Sequence, residues 1–151
     1  MAAYRHILVP TDGSKLSLKA AKVAATLARD LKARITAVYV IPPYMPAFNG
    51  DGAVIVIQPY DQKEYKAATE KHAGVALGKV AAAAAAAKVK CEPLHVIDPQ
   101  PWDAIIRAAK KHKCDLIVMA SHGRSGLAGL LLGSETTKVL THSKTPVLVC
   151  R

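Results

Sequence analysis

Apolar residues along this chain fall into two alternating patterns: short unbroken aliphatic runs, and longer stretches where apolar positions recur every three or four residues. Arg5 to Val9 (RHILV) is a run of the first kind, closed by Pro10 and followed by Thr-Asp-Gly-Ser, which predicts a strand with a turn behind it. Leu16, Ala20, Val23, Leu27 and Leu31 then recur at helical spacing, with Ser14 ahead of them as an N-cap. A helix burying that stripe is expected. Arg34 to Ile41 (RITAVYVI) is rich in β-branched residues and stops at Pro42-Pro43, a second strand.

Residues 42 to 61 read as a long loop, in which GDG at 50 to 52 and VIVI at 54 to 57 leave open an extra strand or a flap. Asp61 to Lys88 is the longest predicted helix, weakened by Gly74 and Gly78 by about 1 kcal/mol each relative to Ala. Their GxxxG spacing in an Ala-rich helix is read as close packing on a sheet. Val89 to Val96 predicts a third strand, and Pro101 to His112 a helix with Ile105, Ile106, Ala108 and Ala109 facing inward. Leu116 to Met119 (LIVM) is a buried strand, Glu135 to His142 a last helix and Pro146 to Cys150 a last strand.

Uniformly apolar strands alternating with amphipathic helices imply an α/β fold: one doubly wound, five-stranded parallel sheet covered by helices on both faces, Rossmann-like in plan. In such sheets the ligand crevice lies beyond the carboxyl ends of the strands, where strand order reverses. Here that points to the segments after Val9 and after Met119.

Composition narrows the class. The chain has 151 residues, enough for one domain over 1–151, and 51% of them are hydrophobic with few aromatics, so Ala, Val, Ile and Leu must fill the core. The N-terminus MAAYRHILVP has no apolar run of signal-peptide type, and Ala81 to Ala87 is too short to span a membrane. Cys91, Cys114 and Cys150 show no CxxC or Cys/His cluster, which favours reduced, mostly buried thiols in a cytoplasm. His6, His72, His95, His112 and His142 show no metal spacing. The formal charge of +10 attracts anions, yet Lys15, Lys19, Lys22, Arg29 and Lys32 alternate with apolar residues, as a solvated helix face does.

The chemistry is concentrated between Ser121 and Ser134 (SHGRSGLAGLLLGS), with Gly123, Gly126, Gly129 and Gly133 in eleven residues. Exposed backbone N–H groups in such a loop, and at the start of the helix it feeds, suit a phosphate. Known signatures do not match. There is no lysine between Gly133 and Ser134 as a Walker A loop needs, and no GxGxxG. A GxSxG elbow would require glycine at Leu127.

The loop resembles instead the signature of the universal stress protein family, G-x2-G-x9-G-[ST], here Ala120-x2-Gly123-x9-Gly133-Ser134. The resemblance extends from HILVPTDGS at 6–14, through DLIVMASHGRSGL at 115–127, to LLLGSETTKVL at 130–140 and TPVLVC at 145–150. It implies an ATP site, with Mg or Mn as the accompanying ion. Asp12, with Pro10 and Thr11, matches the adenosine-contacting turn, Val40 the backbone bordering adenine, and Met119 and Ala120 the positions against base and ribose. Gly123, Gly133, Ser134 and Glu135 match the phosphate cradle. His122 and Arg124 are added on charge. On its own, Asp12 would more commonly cap a turn or the helix that follows, and Ser134 could be only an N-cap.

Ala120 departs from the signature's first glycine. A positive φ there would cost alanine about 1 to 2 kcal/mol, whereas close approach of a ribose would tolerate a methyl. The resemblance implies a regulatory stress-response protein that binds ATP, homodimeric through strand 146–150. An enzyme, either a slow ATPase or an adenine-nucleotide α-hydrolase, is the alternative; no catalytic residue stands out, and PTDGS replaces the SGGxDS-like loop of the pyrophosphatases. A nucleic-acid binder driven by charge ranks last, because the tyrosines do not interleave with basic residues.

Overall fold

A computed structural model describes residues 3–45, 47–48, 54–55, 61–123 and 132–151. Five parallel strands form the main sheet: β1 (His6–Pro10), β2 (Arg34–Ile41), β5 (Cys91–Ile97), β6 (Leu116–Ala120) and β7 (Val147–Cys150). Their spatial order is β5-β2-β1-β6-β7. The chain moves outward from β1 through β2 to β5, then crosses to β6 and β7 on the other side, so the order reverses between β1 and β6. The two short strands β3 (Ala47–Phe48) and β4 (Val54–Ile55) pair antiparallel within the long connection after β2. The GDG at 50–52 and residues 56–57 lie outside the described residues.

The central strands β1 and β6 are apolar and buried along their whole length because both faces of the sheet are covered there, whereas the edge strands β5 and β7 are only partly buried. Ile7 and Val9 of β1 face a core shared with helices α1 (Lys15–Leu31) and α2 (Gln62–Ala86), while Leu8 between them faces a second core. That second core packs against α3 (Pro101–Lys111) and α4 (Ser134–His142).

α1 starts at Ser14, whose Oγ accepts the N–H of Ser17 at 3.1 Å. Its buried face differs from the predicted stripe. Ala20, Ala21, Ala24, Ala25 and Ala28 lie on the sheet, Leu16, Leu27 and Leu31 flank them half-buried, and Val23 is 40% exposed. Small side chains let the helix axis approach the sheet, and the bulkier ones fill the gaps at its margins.

α2 is capped by Asp61, which accepts the N–H of Glu64 at 2.8 Å. Ala73, Ala76, Leu77, Val80 and Ala84 face inward. Gly74 and Gly78 do not pack on the sheet as expected: both are exposed, and a Cβ added at either meets nothing within 4 Å. Val89 belongs to the close of α2, donating to Ala84 O at 2.9 Å, so the next strand opens two residues later than its sequence suggests.

All three cysteines are free, Cys91 half-buried and the other two buried. Burial pushes the Cys114 thiol up to about 11, leaving it protonated and unreactive. No helix among the described residues is long and apolar enough to cross a membrane.

Candidate functional site

At the end of β1 the chain turns into α1 through Thr11, Asp12, Gly13 and Ser14. Thr11 N–H still bonds Val38 O of β2 at 2.9 Å, and its buried hydroxyl accepts Gly13 N–H at 3.2 Å. Gly13 takes φ 81°, a left-handed conformation that favours glycine. Asp12 Oδ1 accepts Ser14 N–H at 2.9 Å, so the carboxylate does brace the turn, as the simpler reading of TDGS held.

Its other oxygen lies against the second loop. A Cβ built on Gly123 would overlap Asp12 Oδ2, so the glycine lets the two loops meet across the switch point. The loop's far end closes tightly as well. Gly133 N–H donates to Ser121 O at 2.7 Å, and a Cβ at Gly133 would stand 3.1 Å from both Cα and Cβ of His122. Gly133 is therefore glycine because the returning chain crosses the backbone at 121–122.

With its own N–H committed, Gly133 serves as the N-cap residue of α4 without a side-chain bond, and Ser134 is the first helical residue, not the cap. The N–H groups of Ser134, Glu135 and Thr136 then have no acceptor within their own helix, and they carry the positive end of its dipole. Thr136 Oγ1 bonds Ala120 O at 2.9 Å and fixes this helix start to the end of β6.

Between the loops is a cavity of about 460 Å³. Pro10 lines it from β1, Thr11 and Asp12 from the turn that follows, Val40 from β2, and Met119 and Ala120 from β6. His122 and Gly123 follow on the same wall, with Gly133, Ser134 and Glu135 at the start of α4. The structure thus brings these predicted residues to one crevice; Arg124 lies outside the described residues. Ala120 sits in strand backbone and is not among the positive-φ residues, so its methyl occupies space without straining the chain.

Sequence reasoning missed Ser17, Val38, Tyr39, Pro101, Ile105 and Thr136 on the cavity wall. Val38 was recoverable, since it lies two residues before Val40 on the same face of β2. The start of α3 carried no signal of its own. Glu135 reaches it: Oε2 accepts the N–H of Trp102 at 2.8 Å, and the Trp102 ring packs against His142 of α4, tilted by 36° with ring centroids 4.7 Å apart. The site is an apolar slot of Val38, Val40, Ile105 and Met119, with hydrogen-bonding groups at its end. That form suits a flat heterocycle carrying an anionic tail.

The model of the universal stress protein family matches residues 3–151. A universal stress protein of Methanocaldococcus jannaschii is 34% identical over 150 residues, covering 98% of this chain and 82% of that one. Among solved structures, UspA of Lactobacillus plantarum is 28% identical, with a TM-score of 0.72 and 98% of each chain covered. A universal stress protein solved in complex with cAMP is 28% identical, with a TM-score of 0.68, covering 97% of this chain and 95% of that one. Motif, sheet order and full-length match agree, and the chain belongs to the universal stress protein family.

Proposed function

We propose that this protein is a cytoplasmic regulatory protein of the stress response that binds an adenine nucleotide, ATP in particular, in the cavity between β1 and β6. The observation that carries the reading is the meeting of Asp12 with Gly123 beside the first-turn N–H groups of α4, which have no acceptor within their own helix. Base and ribose fit the slot of Val40, Met119 and Ala120, with Asp12 as hydrogen-bond acceptor. Phosphate fits the start of α4. A relative 28% identical that binds cAMP supports the same ligand class.

The residues fit a nucleotide better than a metal held by the protein itself. No group of three or more His, Cys, Asp or Glu among the described residues could hold a metal ion. Mg or Mn would therefore arrive on the triphosphate, held chiefly by its oxygens and water.

ATP should raise the melting temperature, since a ligand at a hundred times its Kd stabilises by about 2.7 kcal/mol. Gly123→Val should lose most of that shift, because its branched side chain displaces the Asp12 carboxylate. Equal stabilisation of wild type and a folded Gly123→Val protein by ATP would remove the assignment.

A further inference from the structure

Although the chain carries a formal charge of +10, the charged side chains among the described residues lining the cavity are the carboxylates Asp12 and Glu135, with no lysine or arginine. Glu135 stands at the second position of α4, where a carboxylate ordinarily serves the N–H groups of its own helix. Here it serves another. Gln100, the N-cap residue of α3, makes no side-chain bond, Pro101 has no N–H, and the Glu135 carboxylate accepts the N–H of Trp102 that follows. The charge is thereby fixed between two helix starts that both border the cavity, through Pro101 and Ser134. Lys138 Nζ lies 3.7 Å from the other carboxylate oxygen, in a half-exposed pair that offsets the charge only in part.

We propose that Glu135 is a specificity-determining residue that grades ligands by phosphate charge, leaving a nucleoside unaffected and opposing negative charge placed on the first turn of α4. This rests on the adenine-nucleotide reading. A phosphate held by the N–H groups of Ser134 and Thr136 lies within one helical turn of the carboxylate, at a site open enough for salt to screen the repulsion. Coupling is reciprocal: bound phosphate weakens the hold of Glu135 on Trp102 N–H, and the single tryptophan of the chain reports it.

The test is calorimetric titration of wild type, Glu135→Gln and Lys138→Gln with adenosine, AMP and ATP, at low and high salt and without divalent ions. Glutamine keeps an acceptor for Trp102 and loses only the charge. Glu135→Gln should bind ATP about fivefold tighter or more, the lower end of ordinary coupling, with a smaller gain for AMP and none for adenosine. High salt should shrink that gain, and Lys138→Gln should weaken ATP while leaving adenosine alone. Trp102 fluorescence should respond to ATP and not to adenosine. Unchanged or weakened ATP binding in Glu135→Gln overturns the proposal, as does a parallel change for adenosine and ATP, which would make the carboxylate a shaping group only. Wild type that binds neither ligand overturns the nucleotide reading itself, and this proposal with it.

Discussion

Ala120 ends β6 in strand backbone, so replacing the signature's glycine imposes no conformational strain and only narrows the cavity by a methyl group. Real strain of that kind sits elsewhere. Lys32, Lys88 and Lys113 hold φ of 55°, 59° and 55° just past the ends of α1, α2 and α3, where glycine is the residue that fits without a Cβ penalty. Lysine there costs about 1 kcal/mol, the steric penalty less the entropy that glycine would lose on folding. Each Lys→Gly variant should therefore melt about 2 to 4 °C higher. A fall in melting temperature for all three would show that the lysine side chains make compensating contacts. Gly13 and Gly123 answer different demands, one a left-handed turn and the other the approach of Asp12. Sequence alone marks both as glycine without saying which demand applies.

Helix α2 raises the same question over a longer span. GxxxG spacing was compatible with burial, yet Gly74 and Gly78 face open space, because the buried stripe runs through Ala73, Ala76, Leu77, Val80 and Ala84 instead. Gly74→Ala and Gly78→Ala should each stabilise by about 1 kcal/mol, measured by denaturant titration with an unchanged slope. A loss of stability at either would mean that this face of the helix is covered in the native protein. The central strands β1 and β6 were legible because full burial makes them uniformly apolar, and right-handed crossovers limit the topology to a doubly wound sheet. The face of α1 was less so. Alanine contributes little to a hydrophobic pattern, and the eye follows Leu16, Val23 and Leu31 to a stripe that flanks the contact. The crevice was legible at its two motif loops and not at α3, whose part depends on the reach of Glu135 across helices.

The sheet as a whole ends on two unlike edges. β5 carries Pro93 opposite Ala37, with Glu92, Pro93 and His95 exposed, so it lacks one N–H and presents a charge to any strand that would pair with it. β7 has neither device: Val147, Leu148 and Val149 are uncharged, Leu148 is 40% exposed, and among the described residues the strand pairs only with β6. An apolar edge without such protection calls for a cover. A second copy of the chain pairing antiparallel along β7 across a two-fold axis would supply it, satisfying the outward N–H and C=O groups of both strands. On this reading the wild type sediments as a dimer at micromolar concentration. Leu148→Lys, which places like charges near the axis and leaves the buried Cys150 and the cavity untouched, should shift it toward monomer while ATP still raises its melting temperature. A monomeric wild type, with or without ATP, would leave β7 an edge that the protein tolerates bare, and the dimer would have to be given up.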